Sequence, residues 1–236
     1  MKILALECSA TPASCAIVED TKIIAQSFIN VKLTHSQTLL PLVSSMLKAS
    51  LTDLDDIDAF AITSGPGSFT GIRIGISAIK GLACAENKPC YAVSTLRAIA
   101  ENFCGTECIV CAVMDARCNQ VYNALFSVSG DTVTRLCDDR AVMIEEVCSE
   151  LESLKENNLP IFISGDGADI FYTAAKDIKN IKKAPPLSQW QNAAAVGLVA
   201  EKEQKNTKPL SPEELLPFYL RLPQAERELK NKEQNK

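Results

Sequence analysis

Three strands, a helix, a strand and a helix occur twice, in that order, along this chain, and the duplication restricts the fold more than any other feature. In the first half, "KILALEC", "SCAIVED" and "KIIAQSFINV" read as strands, followed by a helix from about Ser36 to Ser50. A strand at "DAFAIT", a glycine-rich turn, a helix from about Phe69 to Ala85, a short strand at "CYAV" and a helix capped by Ser94 come next. The second half runs through "CIVCAVMDA", "QVYNALFSV" and, past a turn at Gly130 and Asp131, "TVTRLC". A helix over "IEEVCSELESLKEN", a strand at "PIFISG" and a helix near "ADIFYTAAKDI" complete the echo. After the turn "PPLSQWQ" comes the alanine-rich helix "NAAAVGLVAEKEQ". Last is "SPEELLPFYLR", where Ser211, Pro212 and Glu214 are spaced as a capping box opening a short helix that Pro217 stops.

Such a repeat predicts two α/β lobes of like topology, each a mixed sheet with flanking helices. That is the duplicated, ribonuclease H-like plan of the actin, Hsp70 and sugar-kinase superfamily. The expected division is 1–105 for the N-terminal lobe and 106–222 for the C-terminal lobe. Residues 223–236 are expected to be a flexible tail, because "ERELKNKEQNK" mixes both charge signs and has Leu229 as its one apolar residue.

With 236 residues, 47% hydrophobic and 22% charged, the chain can bury a sizeable core. No apolar run reaches the length of an export signal core or a membrane span, so the expected location is cytoplasmic, with no membrane partner. The ten cysteines lie mostly inside apolar runs such as "SCAIV" and "IVCAV", which predicts reduced, mostly buried thiols. Cys104, Cys108 and Cys111 match C-x3-C-x2-C, a cluster-binding spacing, yet residues three apart on a strand face opposite ways. The net charge of −5 offers no basic surplus for a nucleic-acid backbone, so any RNA would be held mostly by a partner.

The segment "SGPGSFTGIRIG" raises the question of phosphate binding. It lacks the lysine of the Walker pattern and has Thr70 where G-x-G-x-x-G needs glycine. Gly65, Pro66, Gly67 and Ser68 are therefore expected to form a structural turn and helix cap, with an anion site as the secondary reading. Kinases of the duplicated plan place an aspartate and a glycine- or serine-rich hairpin at the first strand; here stand Glu7 and "CSATPAS" without glycine. The single histidine, His35, excludes a paired-histidine metal site and any relay needing a second imidazole. No catalytic or metal-ligating residue is assigned.

The two first-lobe helices are too apolar for one sheet. From Leu39 to Leu51 the apolar arc spans about 200°, and in the helix after the glycine turn about 220°. In the second, Ile72, Ile76, Ile79 and Ala83 form a bulky side and Gly71, Gly75, Ala78, Leu82 and Ala85 a flat one. Part of the flat side is expected to meet the first helix and the remainder an intermolecular partner. The expected partner-binding residues are Leu39, Leu42, Val43 and Met46 with Gly71, Ile74, Gly75, Ala78 and Leu82.

The residues also carry a resemblance. "ILALECSATPASCAI", "THSQTLLPLV", "SGPGSFTGIRIG" with "KGLA", "DARCNQVYNALF", "SGDGA" and "PFYLR" stand in the order found in the TsaB (YeaZ) family, and the chain resembles that family almost end to end. The resemblance implies a non-catalytic relative of TsaD, the subunit that carries a paired-histidine metal site and transfers threonylcarbamoyl to adenosine in tRNA. It implies docking on TsaD through the first-lobe helices, a working complex with the ATPase TsaE, tRNA contact through that complex, and a homodimer when TsaD is absent. No cofactor is expected in this chain; ATP and a metal ion belong to the partner subunits. Glu7 and Cys8 replace the family's usual aspartate and threonine, which weakens any nucleotide role for the first hairpin. His35 with Ser36 fits the family's "HS" helix start, and Asp115 with Arg117 in "DAR" reads as an ion pair or turn at the lobe interface.

Two enzyme readings compete: a small-molecule kinase or ATPase of the same plan, and a glycoprotease-like metallopeptidase. The glycine-free hairpin argues against the first and the single histidine against the second.

Overall fold

A computed structural model describes residues 1–154 and 158–221. It contains the two lobes that the duplicated order predicts. β1 (Lys2–Glu7), β2 (Ala13–Glu19) and β3 (Lys22–Ile29) form an antiparallel meander, and β4 (Ala59–Gly65) and β5 (Cys90–Ser94) extend it in parallel, in the order β3-β2-β1-β4-β5. The second sheet repeats that order. β6 (Thr106–Asp115), β7 (Gln120–Gly130) and β8 (Thr132–Arg135) form the meander, with β10 (Ile161–Ser164) and β11 (Ile181–Lys183) parallel to β6. β9 (Arg140–Met143) pairs with the other end of β7. Strand pairs β1–β4 and β6–β10 are buried on both faces and read as apolar runs, as parallel sheets covered by helices require.

Four helices cover the outer faces: α1 (His35–Ala49) and α2 (Phe69–Ala83) on the first sheet, α4 (Ile144–Ser153) and α5 (Ala168–Ala175) on the second. Between the sheets lie α3 (Thr95–Glu101) and α6 (Ala193–Glu203). Ser94 caps α3 by accepting from the Arg97 amide, and Asn192 caps α6 by accepting from Ala195. The final residues of the helix expected over "IEEVCSELESLKEN" lie outside the described residues, as does the tail 223–236.

The domain division needs one correction. α6 was expected in the C-terminal lobe but packs its alanines against Ile3, Ala5 and Ala16 of the first sheet. Gly197 permits that approach, since a Cβ there would lie 2.6 Å from Val18 Cγ2. The following segment also returns to the first lobe, with Leu210 pairing with Cys90 and Leu215 fully buried in the α1/α2 core. The helix expected from Ser211 does not form. Its reciprocal bonds do: the Ser211 amide donates to Glu214 Oε2 at 2.9 Å and the Glu214 amide to Ser211 Oγ at 3.3 Å. The chain stops after one turn because Leu215 must enter the core.

Candidate partner-docking site

α2 starts where the turn chemistry requires: Ser68 Oγ accepts from the Gly71 amide at 3.2 Å. Its bulky side, Ile72, Ile76, Ile79 and Ala83, lies in the core with Leu4 and Leu6 of β1 and Phe60 and Ile62 of β4. The two glycines of the flat side do not face outward. A Cβ on Gly71 would lie 2.1 Å from the Cys8 carbonyl oxygen, and one on Gly75 would lie 2.4 Å from Cys8 Sγ and 2.6 Å from Ile62 Cδ1. Both glycines are buried because α2 rides over the end of β1.

Five of the residues expected to bind a partner are therefore spent inside the lobe. Leu39, Val43 and Met46 are 1%, 3% and 3% exposed, and Gly71 and Gly75 join them in the interior. Leu42, Ala78 and Leu82 are half-buried at the fringe of the same core, and Ile74 is half-buried beside them. What remains open is narrower than the arcs implied: a groove of about 440 Å³ between α1 and α2. Its walls are Ser36 and Leu40 from α1 and Arg73, Ile74, Ser77 and Ala78 from α2, with Leu39 at the floor. Leu40 is 48% exposed. At one end His35 Nε2 donates to the Ala10 carbonyl at 2.8 Å, pinning the start of α1 to the first hairpin.

Sequence reasoning missed the third element of this face. Residues 210–221 run along α2 as a strap. Lys80 Nζ donates to the Glu213 carbonyl at 3.1 Å, the Phe218 amide to the Ser64 carbonyl at 2.8 Å, and Arg221 to the Ala116 carbonyl of the second lobe at 2.8 Å. Arg73 links strap and groove: its Nε donates to the Tyr219 hydroxyl at 2.8 Å and its guanidinium lies 3.8 Å from the centre of the Phe69 ring, which stacks on Tyr219. Leu216 and Phe218 stay exposed on the strap. "PFYLR" was visible in the sequence, but no local signal ties Tyr219 to Arg73, 146 positions away.

The glycine turn is packed shut. Gly65 and Gly67 have φ of +138° and +154°. A Cβ on the first would lie 2.2 Å from the Phe218 carbonyl oxygen, and on the second 2.5 Å from that of Ser9. The Ser68 amide, which an anion would need, donates to Ser9 at 2.6 Å. With Pro66 buried between them, these four residues are a structural turn. Glu7 is likewise occupied: Oε1 accepts from the Ser9 amide at 2.7 Å and its hydroxyl at 2.6 Å, and Oε2 from Thr63 at 2.5 Å. Burial raises the pKa of Glu7, and these bonds oppose the rise. In the "DAR" segment the Arg117 amide donates to Asp115 Oδ1 at 2.7 Å, and Arg117, Cys118 and Asn119 take left-handed backbone between β6 and β7, so the turn reading holds.

All ten cysteines are free. Cys108 belongs to the core facing α3 and Cys111 to the core facing α4 and α5, so the C-x3-C-x2-C spacing does not converge. Among the described residues no three His, Cys, Asp or Glu side chains gather as a metal site, and no helix is long and apolar enough to cross a membrane.

Topology and site together define a two-lobed α/β protein on the duplicated actin, Hsp70 and sugar-kinase plan, with an open apolar groove on its first lobe. Residues 22–229 match the family model described as TsaD: tRNA N6-adenosine threonylcarbamoyltransferase. The chain is 31% identical over 234 residues to the tRNA threonylcarbamoyladenosine biosynthesis protein TsaB of Haemophilus influenzae, covering 94% of each chain. To the protein of that name from Bacillus subtilis it is 29% identical over 226 residues, covering 96% of each. Among solved structures, YeaZ from Pseudomonas aeruginosa superposes with a TM-score of 0.79 at 26% identity, covering 93% of this chain and 99% of that one. The chain belongs to the TsaB (YeaZ) family.

Proposed function

We propose that this chain takes part in the biosynthesis of threonylcarbamoyladenosine in tRNA as a non-catalytic scaffold and activating subunit. It docks on a TsaD-like transferase through the α1/α2 groove and its neighbouring strap, and works with a TsaE-like ATPase. tRNA is reached through the complex, and ATP and metal ion reside on the partner subunits. In the partner's absence the same groove pairs with a second copy, giving a homodimer, and the complex works in the cytoplasm.

The observation that carries this reading is the groove itself. Leu40, Ile74 and Ala78 line an apolar opening between two helices whose Leu39, Val43, Met46, Ile72, Ile76 and Ile79 are already buried in their own lobe. The match of residues 22–229 to the TsaD family model adds a second support, because homologous subunits commonly pair through equivalent faces. The kinase reading finds no help at the first hairpin, where Glu7 is saturated by Ser9 and Thr63 and the glycine turn is closed. The metallopeptidase reading lacks a second histidine.

The test is a pull-down with a TsaD-like subunit, comparing the wild-type chain with a Leu40→Asp, Ile74→Asp double variant. Both positions are partly solvent-exposed, so the variant keeps its fold while losing the partner, and modification by the reconstituted complex falls with it. Undiminished binding by the variant removes the groove from the interface. Threonylcarbamoyl transfer by the chain alone overturns the scaffold reading.

A further inference from the structure

Where the chain crosses back from the second lobe to the first, a carboxyl and a carboxamide meet. Asp166 sits between two closely packed glycines: a Cβ on Gly165 would lie 2.0 Å from the Val113 carbonyl oxygen, and one on Gly167 2.8 Å from the Met114 carbonyl carbon. Gln191 lies just ahead of α6. It is fully buried, and its Nε2 donates to Asp166 Oδ1 at 3.5 Å. Its Oε1 is buried and accepts nothing from the described residues. An orphaned amide oxygen in the interior is costly, and such groups call for an explanation.

The charges around Asp166 give one. The charges of Asp115, at the end of β6, and more weakly of Glu7, at the end of β1, act on Asp166, which joins none of the ion pairs among the described residues. Arg221, at the end of the strap, donates to the Ala116 carbonyl. A third anion at this junction has every reason to hold a proton.

We propose that Asp166 is a protonated acid in the folded chain, donating to Gln191 Oε1 while accepting from Gln191 Nε2, and that this acid–amide pair is a pH-sensitive latch between the lobes. The pairing gives the orphan oxygen a donor. Burial first, then the charge of Asp115 and more weakly of Glu7, raises the pKa of Asp166 to about 7, so the latch titrates near neutrality. Its position gives the titration a mechanical consequence. The Gly165 amide donates to the Gln189 carbonyl at 2.8 Å, tying the Asp166 loop to the crossing segment, and the Ala193 amide donates to Ser14 Oγ of β2 at 2.9 Å, tying that segment to the first lobe. Losing the proton leaves Gln191 Oε1 without a donor and confronts three carboxylates, which loosens both ties. The inference is independent of partner docking.

The test follows the full chain by NMR. Amide hydrogen exchange at Gly165 and Ala193, corrected for intrinsic rate, is compared at about pH 6 and about pH 8, on either side of the titration. Protection is expected to fall about tenfold or more on raising the pH in the wild-type chain. It is expected to stay level in Asp166→Asn, which keeps the neutral pair. The Asp166 carboxyl ¹³C shift in the wild-type chain should titrate near neutrality. An equal pH response in both proteins overturns the latch, and so does a carboxyl midpoint in the ordinary aspartate range, a readout that stands even if the variant does not fold.

Discussion

Gly71 passes so close to the end of β1 that a Cβ built on it would lie 2.1 Å from the Cys8 carbonyl oxygen. That contact makes Gly71 a condition of the fold rather than a surface feature. Gly71→Ala and Gly75→Leu should each destabilise the chain by about 1–3 kcal/mol, because backbone or core must shift to admit the side chain. Gly81 is the control. It lies in the same helix with nothing within 4 Å of its added Cβ, so Gly81→Ala should stabilise by about 0.5–1 kcal/mol through helix propensity. Thermal unfolding of the three variants checks the contrast; equal effects at Gly71 and Gly81 would be incompatible with the packing described.

Within the strap Pro212 and Leu215 are buried, and several exposed ties join them. Leu215 is fully buried in the α1/α2 core, so Leu215→Ala should cost about 2–5 kcal/mol. Tyr219→Phe removes only the bond from Arg73 at an exposed site and keeps the ring on Phe69, so its cost should be at or below about 1 kcal/mol. Limited proteolysis should cut the strap early in the Leu215 variant and not in the Tyr219 variant. Early cleavage in both would assign the anchoring to the ring cluster instead.

Periodicity revealed the order of elements because a strand buried on both faces and a helix resting on a sheet each leave a local signature. β9 and β11 left none: "RAVM" and "IKK" are short, and they are strands only because β7 and β10 offer them an edge. The placement of α6 was illegible for a different reason. Its alanines permit close packing on either sheet, and Gly197 against Val18 selects the first. The docking residues show the same limit. An arc of apolar residues tells how much surface a helix must cover, whereas the burial of Leu39, Val43 and Met46 and the exposure of Leu40 depend on where the sheet lies beneath it. The strap and the Asp166–Gln191 pair join residues remote in sequence, and no spacing rule reaches them.

Glu7 makes a separate pH prediction. Burial raises its folded-state pKa, so its contribution to stability is fully present below the ordinary glutamate pKa and is lost as pH rises through the raised value. Glu7→Gln keeps the size and the acceptor for Ser9 but removes the charge. It should therefore gain stability relative to the wild type at about pH 8, by about 2–4 °C in Tm for each 1 kcal/mol recovered, and the gain should shrink on acidification. Tm measured against pH for both proteins decides it. A wild type that becomes more stable with rising pH while the variant does not would reverse the sign and refute the account.

Thiol reactivity offers the sharpest check on the second sheet. Cys108 and Cys111 face opposite cores, and Cys8, Cys15 and Cys90 are buried in the first lobe, whereas Cys84 and Cys118 are exposed. Burial pushes the Cys15 thiol up to about 12 and that of Cys90 to about 11, with Cys8 and Cys111 higher still, so at neutral pH these thiols are protonated as well as inaccessible. Pulsed alkylation followed by mass spectrometry should label Cys84 and Cys118 at rates near those of a free thiol, and the five buried cysteines only after denaturant is added. The same divergence predicts that chain purified without oxygen shows no iron–sulfur absorption and retains that alkylation pattern. Fast labelling of both Cys108 and Cys111 in the native chain, or their joint protection on addition of iron and sulfide, would mean that β6 does not hold the register that places them on opposite faces.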